Sequence, residues 1–544
     1  MRTHRFTIFA AALALCGTAA FAQSAIDAYQ MSTNQLRGTA RFVGMGGAFT
    51  SLGGDLSSMS QNPAGVGLYR RSEVGLTFDV SFRGDKTETA STENKNSRTK
   101  AYFDNFGYVG MYNLNGALRT FNWGVSYNRL AAVNRRFKGY NMPSPASLSN
   151  YIASFTNGVP YQDLNKVNGY NPYLDANDQG EYQDWLSVLA FNSYMITETG
   201  NAQYAGLRQD GTVGDALYYV HENGYTDSYE IDFAGNVSDL VYWGLGIGIV
   251  DMDYTRYVDY SESMENAQIF YRDYLVDGNA GFALNNYKNI SGTGANIKFG
   301  VIVRPLDFLK IGLAVHTPTW MSLSSFGNAE CNYNYTPDNP ASDDQRPTRS
   351  GSQRTEDFDY DWHLNSPWRL MIGASATIGR RAIVSLDYER VAYNNMSMGI
   401  RSYDYDYWGN NYVKDDKGND DIKDCFKAAD IVRAGVEVVA TKHLSVRAGF
   451  SWQGSNVRSA AADGSFQIPT AGTDPSYSFD KDTYNVCLGL GYRLGPWYLD
   501  AAYQHVRQNS TFHAFTPYPG VAMTPSADVT STQNNLIIST GFRF

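Results

Sequence analysis

The sequence predicts an all-β protein, a transmembrane antiparallel β-barrel of about fourteen strands, and three observations support that prediction. Many segments alternate apolar with small or polar side chains, as a strand must when one face meets lipid and the other a lumen. The connections between these segments are alternately very short and long. The composition joins 40 Tyr, 28 Phe, 9 Trp and 51 Gly to only 17 Pro. No apolar run beyond the first residues approaches the roughly 20 residues of a membrane-crossing helix, whereas aromatic girdles and glycine-rich strands yield this balance in a barrel.

The chain begins as a secretory signal peptide, residues 1–22: Arg2, His4 and Arg5, an apolar run from Phe6 to Leu15, then small residues ending in Ala20-Phe21-Ala22. A lipoprotein reading would modify Cys16, but Leu15 is too bulky for the small residue that should precede it. Cleavage before Gln23 is therefore expected. Taking Arg2 and Arg5 from 44 basic residues leaves 42 against 54 acidic ones, a net charge of −12. Nucleic acid is excluded as an expected partner, because phosphate binding needs a basic face. Cys331, Cys425 and Cys487 are widely spaced and lack a C-x-x-C pair, so neither a zinc site nor a dense disulfide framework is indicated. A Cys331 to Cys425 bond between outer loops stays open.

Residues 23–71 are too irregular for strand. They contain Gly38-Thr39-Ala40-Arg41-Phe42-Val43-Gly44-Met45-Gly46-Gly47-Ala48, then Gly53-Gly54-Asp55 and Asn62-Pro63-Ala64-Gly65. Glycines at this density allow tight backbone packing, and Asn-Pro initiates a fixed turn. A phosphate loop is excluded, since Gly44-Met45-Gly46-Gly47 lacks the following Gly-Lys-Ser/Thr.

Residues 72–544 read as the barrel. Strands are expected near 72–83, 100–114, 118–131, 227–237, 240–260, 290–304, 308–320, 360–378 and 381–394, followed by five more from Ala429 onward. In the later part the alternation is plain: Leu444, Val446, Ala448, Phe450 and Trp452 oppose Ser445, Arg447, Gly449, Ser451 and Gln453. Tyr484, Val486, Leu488, Leu490 and Tyr492 repeat the pattern, as do Leu536, Ile538, Thr540, Phe542 and Phe544. Short connectors at 115–117, 238–239, 305–307, 379–380, 441–443 and 495–496 alternate with long ones at 84–99, 132–226, 261–289, 321–359, 395–428, 454–482 and 509–530. Tight periplasmic turns and extended extracellular loops produce this asymmetry, with loop 132–226 the largest, and a soluble sandwich has no reason to sort loops by length. The terminal aromatic Phe544 resembles the signal read by the barrel assembly machinery, which is the expected assembly partner.

The signal peptide, the Gly38–Ala48 run, Asp55 and the Asn62-Pro63-Ala64-Gly65 turn ahead of fourteen strands resemble the FadL/TodX family of outer-membrane transporters for long-chain fatty acids and other hydrophobic compounds. The likeness covers the mature chain by architecture and residues 37 to 69 by motif. It implies that residues 23–71 form a hatch plugging the lumen, with Asp55, Asn62, Pro63, Ala64 and Gly65 in a hatch element near the ligand path. It also implies passive uptake by capture among outer loops, hatch movement and lateral release. In that family the lateral opening lies at the third strand, where this sequence shows only Gly124 as a weak point.

Candidate sites follow from the residues. Trp185, Leu186 and Leu189, within an amphipathic helix expected over Glu181 to Thr197, offer a capture face or a face buried against the barrel mouth. Gly244, Gly246 and Gly248 form an inward stripe where a hatch backbone can approach. Arg433, Arg447 and Arg493 are inward cations that either hold a ligand carboxylate or neutralise inward acids and tether the plug. The acidic stretch 415–421 misses the calcium-loop spacing and reads as solvated. The seven His show no catalytic spacing, so an enzyme is not expected, nor are a cofactor, a metal or a partner chain. Outer-membrane lipid and a hydrophobic small molecule remain as partners. A porin or adhesin without selective uptake is the alternative, and occlusion of the lumen by residues 23–71 separates the two.

Overall fold

The computed structural model describes residues 23–544 except 90–91, 144–145, 168, 380, 402–411, 463–466, 519 and 522. The expected signal peptide lies outside the described residues. From Glu73 onward the chain forms a closed, 14-strand antiparallel barrel. Its strands are β1 (Glu73–Glu88), β2 (Glu93–Asn113), β3 (Leu118–Pro143), β4 (Val213–Val237), β5 (Val241–Tyr271) and β6 (Tyr274–Leu306). The wall continues with β7 (Leu309–His316 and Trp320–Pro337), β8 (Arg349–Arg354, Phe358–Asn365 and Arg369–Ile378), β9 (Ala382–Val391 and Ser397–Arg401) and β10 (Tyr412–Lys414 and Ala429–Val439). It ends with β11 (Leu444–Gln453), β12 (Tyr477–Leu494), β13 (Trp497–His513) and β14 (Ser526–Arg543). The last strand pairs with the first from Glu73↔Arg543 to Glu88↔Asp528, which removes both sheet edges.

The interruptions in β7 and β8 have a local cause. Pro318 and Pro367 cannot donate to a ladder, and each falls where its strand breaks.

The outer surface carries the apolar belt that alternation predicts. On β12 the exposed Val486, Leu488 and Leu490 lie between exposed Tyr484 and Tyr492. On β5, Leu245, Ile247 and Ile249 face outward while Gly244, Gly246 and Gly248 face in. No helix among the described residues is long and apolar enough to cross a membrane.

Several connectors expected to be long loops are strand instead. Residues 84–88 and 93–99 are the outer end of the β1–β2 hairpin, and 261–271 and 274–289 continue β5 and β6 to a two-residue turn. In that turn Arg272 and Asp273 both have positive φ, 47° and 65°, the geometry that matches the twist of its flanking strands. The 31 residues of β5 reach about 100 Å, far beyond the ~30 Å hydrocarbon core. Above the membrane the outward face meets water while the inward face packs in an apolar cluster, as with Asp259, Ser261 and Ser263 outward and Val258, Tyr260 and Met264 inward, so the alternation reverses its sense while the hydrogen-bond ladder persists. The expected 132–226 loop shrinks to 144–212 for the same reason.

Leu488 is 56% exposed in the middle of its aromatic-bounded stretch. Leu488→Arg is expected to destabilise the barrel by about 2–4 kcal/mol in guanidinium unfolding from lipid vesicles. No change would show that this face does not contact hydrocarbon.

Candidate functional site

Residues 23–71 pack along the inner wall. They fold into α1 (Ala25–Met31), α2 (Ala40–Gly44), α3 (Ser58–Gln61) and a 3-10 turn, Pro63–Leu68. All of these except α3 start from a side-chain cap. Ser24 and Asp27 cap α1 reciprocally, and Thr39 accepts from the Phe42 amide to cap α2. Asp55 supports that second cap: its carboxylate accepts from Thr39 Oγ1 at 2.6 Å and from the Ser57 amide at 3.0 Å. Burial raises the Asp55 pKa above the ordinary carboxylate range, opposed by the charge of Arg41 and these hydrogen bonds. Asn62 Oδ1 accepts from the Ala64 amide at 3.0 Å, while its Nδ2 donates to the Thr50 carbonyl at 2.6 Å. Pro63 occupies the first helical position, where no amide is needed.

The segment meets all fourteen strands, and glycine makes most of these approaches feasible. A methyl built on Gly244 of β5 would collide with the Pro63 carbonyl and Ala64 amide, and one on Gly300 of β6 with Asn62. Gly312 of β7 meets Thr50, Gly435 and Gly449 of β10 and β11 meet Met45 and Gly46, and Gly489 of β12 meets Gly44. Leu56 lies over Gly75 of β1 and Gly107 of β2, Gly67 over Gly235 of β4, and Thr50 over Gly373 of β8. Polar bonds complete the circle. Asn122 of β3 donates to the Val66 carbonyl, Asp387 of β9 accepts from the Thr50 amide, Gln504 of β13 donates to Leu36, and Ser539 of β14 accepts from Ala40.

Buried ion pairs fix the segment's rotation within the wall. Arg37 joins Asp79 of β1 at 2.8 Å and Asp104 of β2 at 2.5 Å. Arg41 shares Glu437 of β10 with Arg447 of β11, at 2.9 and 2.7 Å, and Arg447 continues to Asp500 at 2.7 Å. Lys288 of β6 holds Asp27 at 2.5 Å.

Against the segment lies a cavity of about 190 Å³, lined by polar Gln30, Arg37, Arg135, Glu222, Arg369, Glu389, Arg433, Asp480 and Gln504 and by apolar Leu36, Phe42, Leu130, Val133, Met371 and Ile431. That volume falls below the roughly 300–1,000 Å³ of sites for drug-sized ligands. The outer mouth is closed by an apolar cluster in which loop 144–212 packs on inward residues of the wall, among them Tyr218, Tyr260 and Phe512.

The wall is incomplete at one place. β2 and β3 are paired only from Asn105↔Asn128 to Asn113↔Thr120. Beyond a bulge at Arg129/Ala131, β3 leaves β2 and passes inside it, and Arg135 donates to Ser510 of β13. Gly124 lies within the paired stretch, opposite Val109 and against Met59, so the break falls above it.

The sequence-derived candidates separate by position. Asp55, Asn62, Pro63, Ala64 and Gly65 come together in the segment, with Asn62–Ala64 seated on Gly244 and Gly300. Gly246 and Gly248 instead meet Asp232, Glu230 and Asn296 of their own wall. The helix around Trp185 spans only Trp185–Asn192, is apolar on all sides, and buries Trp185, Leu186 and Leu189 in the mouth cluster. Arg433 borders the cavity and shares Glu389 with Arg369, each pair at 2.6 Å. Arg447 is committed to Glu437 and Asp500, and Arg493 is exposed at the turn-side rim. Cys331, Cys425 and Cys487 are free and buried, the first two in separate apolar clusters. His316 bonds the Gln61 carbonyl at 2.8 Å. The acidic stretch forms the helix Asp416–Cys425 behind an Asp415 cap. Sequence reasoning found the approach at Gly244 but missed the rest of the glycine girdle, although its signal was present: most strands carry a glycine on their inward register.

No protein-family model matches this chain, and no curated protein matches it in sequence. Solved structures do. A FadL homologue from Pseudomonas aeruginosa is similar at TM-score 0.51 and 13% identity, over 94% of this chain and 100% of that one. The toluene transporter TodX from P. putida aligns at TM-score 0.48 and 14% identity, over 94% and 99%. At such identities the likeness establishes the fold, which is the one the Gly38–Gly65 resemblance implied.

Gly449→Val places two methyl groups where Met45 and Gly46 now pass. Overpacking of this kind costs about 1–3 kcal/mol and is expected to loosen the segment, so that trypsin cuts the folded barrel after Arg37 or Arg41. Protection equal to that of the parent would contradict the close packing described.

Proposed function

We propose that this protein carries a hydrophobic small molecule inward across an outer membrane, with residues 23–71 as a movable hatch. One observation supports this reading above others: the lumen is occupied along its whole circumference by the chain's own N-terminal segment, while the wall parts between β2 and β3 beside the residual cavity. A general porin needs a continuous water-filled path, and this arrangement leaves none wide enough. A sideways break suits a cargo that prefers lipid to water by about 0.8 kcal/mol per methylene. The driving force is then partition down a gradient, with no nucleotide consumed.

In this reading the cluster around Trp185, Leu186 and Leu189 receives cargo when loop 144–212 shifts, since these side chains are packed together in the closed form. The hatch must move as well, because the cavity is too small for a long acyl chain. Its mixed lining, with Arg433 and Arg369 gathered at Glu389 beside apolar Leu36, Phe42, Met371 and Ile431, favours an amphiphile with a polar head, such as a long-chain fatty acid, over a bare hydrocarbon. Location in the outer membrane and assembly through Phe544, which is exposed at the closure of β14 on β1, complete the proposal.

Uptake of labelled oleate by cells lacking their own transporter is expected to rise when this chain is expressed, and purified barrels in planar bilayers are expected to show no steady large conductance. Uptake at background with the barrel folded would remove fatty-acid transport, and a steady porin-like current would favour the alternative of an open diffusion channel.

A further inference from the structure

The split between β2 and β3 carries a group of cations that the uptake reading does not use. From Glu93 to Phe103, β2 is paired on one side only, with β1. Its free side overlies the outer surface of β3 and β4, because β3 has passed beneath it. Arg98 and Lys100, whose β1 partners are Arg83 and Ser81, face that surface. There Arg98 Nη1 lies 3.2 Å from His221 Nε2, and Lys100 Nζ donates to Asn223 Oδ1 at 2.5 Å. Arg136 of β3 is the ladder partner of His221, so it joins the same group.

The protein compensates these charges only weakly: Arg136 Cζ lies 5.9 Å from the centre of the Tyr219 ring. Among the described residues, none of Arg98, Lys100 and Arg136 forms an ion pair. Arg98 Nη2 and Arg136 Nε are buried with no hydrogen-bond partner. Asp85 is already committed: it accepts from Arg83 Nε at 3.1 Å, Ser531 Oγ at 2.6 Å and the Arg136 amide at 3.0 Å. Three cations held together with idle N–H groups are costly unless an anion satisfies them.

Height decides which anion. Outward Phe78, Val80 and Phe82 belong to the lipid-facing belt, and Phe82 pairs with Thr99, the residue between Arg98 and Lys100. The cations therefore sit at the rim of the hydrocarbon, at the level of lipid headgroups, where basic side chains attract anionic lipid. We propose that Arg98, Lys100 and Arg136, on the inner face of β2 and the outer face of β3, bind the phosphate of a membrane amphiphile that enters at the free edge of β2, with its chains descending past Phe103 and Tyr127, which stack across the lipid-facing side where the two strands part. A phosphate offers acceptor oxygens to all three cations, and this aromatic pair supplies the lipid's share of the contact.

Native mass spectrometry of the full chain in detergent, titrated with phosphatidic acid, diacylglycerol or inorganic phosphate, tests this. Phosphatidic acid is expected to bind, diacylglycerol and inorganic phosphate far more weakly. Arg98→Gln with Arg136→Gln should lower phosphatidic acid affinity about tenfold or more, and Lys423→Gln, on a distant exposed helix, should leave it unchanged. Lys100 is exposed, so Lys100→Gln serves as a single variant that keeps the fold and should weaken binding several-fold. Equal affinity in parent, double and single variants overturns the site. Inorganic phosphate binding as tightly as phosphatidic acid overturns the lipid as its ligand.

Discussion

Close approach between the backbone of the N-terminal segment and glycines on the inner wall is the contact on which the rest of this structure depends. A methyl at Gly244, Gly300 or Gly449 would collide with Ala64, Asn62 and Gly46 in turn and so force the segment away from the wall. The loss would propagate, because the Arg37 and Arg41 ion pairs and the bonds made by Asn122 and Asp387 all require the segment at that distance. Dispersion falls steeply with separation, so a gap of even 1 Å would forfeit much of the packing.

The buried charges serve placement more than strength. Removing Arg37 or Arg41 from water is expensive, and such pairs often contribute little net stability relative to an apolar core. Their value here lies in direction: Arg37 addresses β1 and β2, Arg41 addresses β10, and Lys288 addresses α1 from β6. Three anchors at separate parts of the wall admit one rotation of the plug.

Polarity changes along the lumen axis. Apolar clusters lie at the mouth and beneath it, a charged cavity follows, and the glycine-lined segment closes the rest. A purely apolar cargo would find the lower half unfavourable. The break between β2 and β3 begins at the same height as the cavity, with Arg83, Arg129 and Arg135 bordering both regions. An amphiphile can keep its head in polar surroundings there while its chain passes outward to lipid.

Much of this was legible in the residues alone. Alternation such as Tyr484 to Tyr492 depends only on a strand having two faces in two solvents, so strand count, lipid face and inward face follow from local pattern. The Asn62-Pro63-Ala64 turn is equally local, since its hydrogen bond spans two residues. Strand ends above the membrane were not legible, because there the outward face meets water and the inward face is apolar, the reverse of the lipid-facing stretch, and the pattern of residues 261–289 marks no strand until their partners are known. The same limit applied to Trp185, Leu186 and Leu189: a helix of eight residues reads as one apolar face, and only the packing of loop 144–212 buries all its sides. Pairings hundreds of residues apart, such as Arg41 with Glu437, and the departure of β3 from β2 were settled by tertiary structure, because they depend on which backbone stands opposite which, and no periodicity along one chain records that.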